Sequence, residues 1–254
     1  MKKLIIYFIF FFMILQTKTY AETNLDSLVD LNEKHWSYNS VIKSIYKYKC
    51  MNGFPDHTFR GDYSIKRYEL ASIILSLIKQ IEVSKNISLE TQPKFRVNQL
   101  NKVNLFYSDV PISHWSFKNI FELNYKYRLR FFSYNTDKFD GDRYVNRYEL
   151  AFIIDKIIFL IDNKVLSYKT NSFTKKDINK YSLECPNFDN SCKYNLTKKS
   201  VDNVTQIYKI MSGSTKNSFK GQDNISRYQL AVTLVKTIEY IEKKYRNNII
   251  FKDS

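Results

Sequence analysis

The sequence predicts a mainly α-helical protein in which three helix–loop–helix units share one core. Two observations predict it. The stretch FRGDYSIKRYELA at 59–71 returns as FDGDRYVNRYELA at 139–151 and as FKGQDNISRYQLA at 219–231. Fixed-period similarity of this kind marks repeated units, none of which buries its apolar face alone. The second observation is the pattern after each signature. Leu70, Ala71, Ile74, Leu77, Ile78 and Ile81 fall on one face of a helix, as do Leu150, Ala151, Ile154, Ile157, Ile158 and Ile161. Leu230, Ala231, Leu234, Ile238 and Ile241 form the third stripe. Three such faces point to a central three-helix bundle.

Residues 1–21 read as an export signal. Lys2 and Lys3 precede an apolar run from Leu4 to Leu15, and Thr19-Tyr20-Ala21 offers a cleavage site. The run is shorter than the roughly twenty residues a bilayer span needs. No later segment is long and apolar enough to cross a membrane, so the expected mature chain is exported, with no transmembrane segment once the signal is removed. The units are then 25–83, 105–163 and 185–245, joined by polar linkers at 84–104 and 164–184 and followed by a tail at 246–254.

Within the first unit, Val41, Ile42, Ile45 and Tyr46 give a short helical stripe that ends near Gly53. The turn-rich loop GFPDHTFRGD leads to the long helix. At the long-helix starts, Ser226 with Gln229 fits a capping box and Asn146 with Glu149 is a near equivalent. Lys66 breaks the pattern, with Ser64 as the alternative cap. Glu69, Glu149 and Gln229 are therefore read as capping residues.

Capping does not explain Arg67, Arg147 and Arg227, because positive charge in a first turn opposes the helix dipole. Two readings stand. Each arginine pairs with Asp30, Asp109 or Asp189 and ties helix to helix, or each presents its planar fork to a carboxylate or phosphate of a ligand. Asp30 with His35-Trp36 recurs as Asp109 with His114-Trp115; the third unit keeps Asp189 but has Asn195-Leu196 in place of the His-Trp pair.

Charge narrows the partners. The 254 residues carry a formal +15, and losing the export signal, with three lysines and no acid, leaves +12. An exported basic chain meets anionic wall polymer or a membrane surface rather than nucleic acid. Cys185 and Cys192, seven residues apart in ECPNFDNSC, permit a disulfide outside the cytosol, leaving Cys50 unpaired and buried. His35, His57 and His114 show no metal-ligand spacing, and no nucleophile elbow or phosphate-cradling loop is present. Asp140 and Asp142 sit in a turn sequence where aspartate is expected. No catalysis, metal or cofactor is expected.

At these residues a resemblance becomes specific. An Asp, then a Trp, a helix, Gly-x-x-Asp-x-x-Phe and an Arg-x-Glu helix start resemble the S-layer homology domain. HWSYNSVIKSIYKYKCMNGFPDHTFRGDYSIKRYELA matches best, in the variant typical of cyanobacterial outer-membrane porins, although no porin barrel follows here. The resemblance implies a pseudo-threefold spindle around the central bundle, with ligand grooves between units that attach to cell-wall polysaccharide or peptidoglycan. It implies that Arg67, Arg147 and Arg227 meet acidic groups of the polymer. Trp36 and Trp115 would stack on sugar or shape the groove, with packing as their competing role. Asp30, Asp109, Asp189, Gly53 and Asp56 complete the implied site. The third unit lacks the Trp, and Ser133 replaces the loop glycine in the second, so the unit around Arg67 is the most complete. A structural tether or coat protein that uses the same grooves for protein partners or self-assembly is the alternative function.

Overall fold

The structure is a computed structural model that describes residues 28–85, 87–90, 107–129, 137–170, 197–213 and 218–245. Residues 1–21, read above as an export signal, most of both expected linkers, the tail, Asp189 and the Cys185–Cys192 pair lie outside the described residues. What is described is mainly helical, as the periodicity predicts. Unit 1 has a short helix α1 (Tyr38–Ile42) continued by a π-helical turn (Lys43–Lys47), then the long α2 (Arg67–Lys85). Unit 2 has α3 (Phe117–Tyr125) and α4 (Arg147–Thr170). In unit 3, helical residues 197–202 run into a π-helical turn (Asn203–Ile207), followed by α5 (Arg227–Lys244).

All seventeen stripe residues are buried, none more than 3% exposed, and they belong to one hydrophobic cluster. Each Leu or Ile so placed contributes roughly 1.5–3 kcal/mol. The packing partners cross the repeat boundaries. Helix α2 packs on α3, α4 on the Asn203–Ile207 turn, and α5 returns to α1. Each long helix therefore lies against the short helical element of the next unit, and the third closes on the first.

A ring of backbone hydrogen bonds fastens this arrangement where the long helices begin. Val145 N–H donates to Ile65 O (2.9 Å), Ile225 to Val145 O (2.9 Å) and Ile65 to Ile225 O (3.0 Å). Isolated bridges Lys66–Tyr144, Asn146–Asn224 and Ser64–Ser226 flank them. An extended residue before each helix leaves its N–H and C=O unpaired locally, and the two neighbouring units satisfy both.

The caps agree with the sequence at two of three starts. Ser226 and Gln229 form a complete capping box, and Asn146 with Glu149 forms the same reciprocal pair. In α2, Glu69 still accepts from Lys66 N–H (2.8 Å). Ser64 is not the substitute cap; it faces Ser226 across the unit boundary. The end of the short helices also differs from expectation. Lys49, Arg128 and Lys209 take left-handed backbone (φ 50°, 53° and 55°), and the N–H of Cys50, Leu129 and Ile210 each reaches back six residues. Lys49, not Gly53, makes that helix end, and Gly53 has no positive φ.

Candidate functional site: the grooves between units

The signature is a two-part joint. Its Phe-x-Gly half on one unit receives the Arg-Tyr half of the preceding unit. Gly61, Gly141 and Gly221 are required by close approach: a Cβ there would lie 2.0–2.3 Å from ring carbons of Tyr228, Tyr68 and Tyr148 respectively. Tyr228, Tyr68 and Tyr148 donate their backbone N–H to those glycine carbonyls at 2.8, 3.0 and 2.9 Å. The intervening Arg60, Asp140 and Lys220 are left-handed (φ 54°, 51° and 46°), a conformation L-residues adopt at a cost of about 1–2 kcal/mol. Asp30 offsets that strain in unit 1. Its carboxylate accepts from Phe59 and Arg60 N–H, both at 2.7 Å, and Asp109 does the same for Phe139 and Asp140 at 2.7 and 2.8 Å.

The arginines are buried in this joint, at 4%, 8% and 7% exposure for Arg67, Arg147 and Arg227. Arg227 donates to Phe59 O and Asn52 O, both at 2.8 Å, and lies over the Phe54 and Phe59 rings. Arg147 donates to Phe219 O (2.9 Å) and Ser212 O (2.5 Å). Arg67 donates to Phe139 O (2.8 Å) and to Glu149 (2.6 Å), which also pairs with Arg143. Burial holds all three guanidinium groups below their ordinary pKa. Asp30 and Asp109 are not their ion-pair partners; those carboxylates hold the corner that the arginines dock on.

The tryptophans stand at the surface of the same joints. Trp36 and Trp115 are each 63% exposed, so packing does not account for them. Trp36 meets Tyr228 edge-on at 6.3 Å and Trp115 meets Tyr68 edge-on at 6.0 Å, with His35 and His114 on the same tyrosine rings at 4.4 and 4.2 Å. Each tyrosine hydroxyl donates to the carbonyl of Asp30 or Asp109 (3.3 Å). Two matching His-Trp-Tyr platforms result, one where unit 3 meets unit 1 and one where unit 1 meets unit 2.

Beside the His114-Trp115-Tyr68 platform a groove of about 420 Å³ crosses the start of α2, lined by residues including Tyr63, Lys66, Trp115, Asp142, Tyr144 and Arg227. Lys66 bonds Asp142 (2.8 Å) and holds its carboxyl below the usual carboxylate range. Gly53 and Asp56 belong to the adjoining loop. Asp56 accepts from Thr58 and Arg60, which holds its carboxyl down to about 2, and a Cβ on Gly53 would press on Leu28 and the Thr58 carbonyl.

Sequence reasoning missed the tyrosines and the exchange between units. A signal was available: Tyr68, Tyr148 and Tyr228 recur in step with Gly61, Gly141 and Gly221. Among the described residues no group of His, Cys, Asp or Glu is arranged to hold a metal ion. None of their helices is long and apolar enough to cross a membrane.

Residues 28–71, which carry the first of these joints' signatures, match the S-layer homology domain. The chain is 34% identical over 90 residues to a cellulosome-anchoring protein of Acetivibrio thermocellus, a stretch covering 35% of this chain and 16% of that protein. It is also 36% identical over 62 residues to outer membrane protein alpha of Thermotoga maritima, covering 24% of this chain and 15% of that one. The matched region thus spans about a sixth of each relative's length.

Proposed function

We propose that the protein is a non-catalytic envelope anchor that grips acidic cell-wall polymer, peptidoglycan-linked or a secondary polysaccharide, in the grooves between its units. The two exposed tryptophans carry this reading. A large aromatic held edge-on by a buried-footed tyrosine, with its face open to solvent, is a rigid surface for the apolar face of a sugar ring. The domain match at residues 28–71 and the anchoring and outer-membrane names of the relatives support an envelope role. In this reading Arg67, Arg147, Arg227, Asp30 and Asp109 are positioning residues that join the two walls of each groove, with Asp189 as their counterpart in unit 3. Gly53 and Asp56 shape the loop beside the unit 1 groove. Linked weak sites on a repetitive polymer raise avidity by about 10²–10⁴.

Co-sedimentation with purified sacculi tests it. Trp36→Ala and Trp115→Ala should each weaken retention, and the double variant should abolish most of it, with helical content unchanged. Retention of the double variant at the wild-type level would refute the reading.

A further inference from the structure

Lys66 breaks the local rule at the start of its helix. Asn146 and Ser226, its counterparts, accept the N–H of Glu149 and Gln229 as caps. A lysine has no acceptor to offer, and its charge opposes the positive end of the helix dipole. Residues that contradict their local structure without a packing gain concentrate at functional positions. Lys66 gains none. Its side chain is 43% exposed and reaches across the groove to Asp142 of unit 2, itself 83% exposed. In the next joint the corresponding contact is neutral, Asn146 to Gln222 (3.3 Å). At the joint of units 3 and 1 the corresponding positions are Ser226 and Asp62. The groove beside Trp115 therefore has an ammonium at the position that Asn146 and Ser226 fill in the other two joints. Its other charged groups are engaged: the Glu69 carboxylate accepts Lys66 N–H, and Arg227 is committed to two carbonyls.

Resting on the groove-binding function above, we propose that Lys66 selects an anionic oxygen group on the bound polymer. Asp142 serves as its resting counter-ion and is displaced when that group arrives. An ion pair this exposed is weak, so a ligand acid held in place by stacking on Trp115 can replace Asp142. The ammonium carries three donors, enough to keep a ligand oxygen while Asp142 swings to solvent.

Two substitutions test the assignment with opposite signs. The full chain is titrated with acidic polymer released from its own sacculi, with the same polymer after carboxyl reduction, and after dephosphorylation. Lys66→Asn restores a cap, so its melting temperature should hold or rise while affinity for the acidic polymer falls about five- to tenfold, the scale of one charge-assisted hydrogen bond in a solvated groove. Asp142→Asn should tighten binding several-fold by freeing the ammonium. The gap between wild type and Lys66→Asn should close on the carboxyl-reduced polymer if the group is a carboxylate, or on the dephosphorylated one if it is a phosphate. Wild-type affinity for Lys66→Asn, or weaker binding by Asp142→Asn, would overturn the assignment while leaving Trp-dependent anchoring intact. If the wild type binds neither sacculi nor released polymer, the anchoring function fails with it.

Discussion

Replacing Arg227 by alanine should unlock unit 3 from unit 1. The side chain is 7% exposed and donates to two carbonyls of unit 1, Phe59 O in the interior and Asn52 O nearer the surface. Stranding a buried acceptor costs about 1–3 kcal/mol, and losing the partly exposed second bond costs less. The cation over Phe54 and Phe59 adds about 0.5–2 kcal/mol. Against these stands relief from burying a charge, visible as the lowered pKa of the guanidinium. The net expectation is a loss of about 3 kcal/mol, read by urea unfolding at constant m-value. For a chain of this size that is a fall in melting temperature of roughly 6–12 °C. Arg227→Lys should recover only part of it, because one ammonium cannot span both carbonyls in the planar geometry of the fork. A loss under 0.5 kcal/mol for Arg227→Ala, the ordinary range for a surface change, would refute the claim that the arginines join the units.

Further expectations follow from the same contacts. Gly141→Ala places a methyl about 2 Å from the Tyr68 ring and should destabilise by about 1–3 kcal/mol in thermal melts, as overpacking does. Leu150→Ala, in the shared core at 0% exposure, should cost about 2–5 kcal/mol by the same measurement. Cys50 is buried and its thiol is pushed up to about 12, so iodoacetamide at pH 8 should leave it unmodified until denaturant is added. Because the folded state holds that proton, Cys50 adds stability below the unfolded thiol value near 8.5 and loses it as pH climbs toward about 12. Replacement by alanine should flatten that alkaline decline.

The long helices were legible because Leu70, Ile74, Ile78 and their counterparts repeat a period that only a helix turns into one face. The role of Glu149 and Gln229 was legible because capping is local, settled within four residues. What escaped was non-local. The docking of Arg67 on unit 2 rather than its own unit depends on how three chain segments close, and no spacing within one repeat encodes that direction. The choice between a buried and an open Trp36 turned on the same closure. A tryptophan beside a helix start reads as core until the neighbouring tyrosine is seen to fill the site beneath it. Gly53 misled for another reason: glycine is the usual left-handed helix end, yet Lys49 takes that conformation here.

The central claim is that signature joints build sugar-binding platforms, and tryptophan fluorescence tests it most directly. The chain has two tryptophans, Trp36 and Trp115, both on platforms and both 63% exposed. Titration with polymer released from sacculi should shift their emission to shorter wavelength and protect both from acrylamide quenching, in step with binding followed by sedimentation. Full binding with unchanged emission and unchanged quenching would contradict the account, because the polymer would then sit away from both platforms.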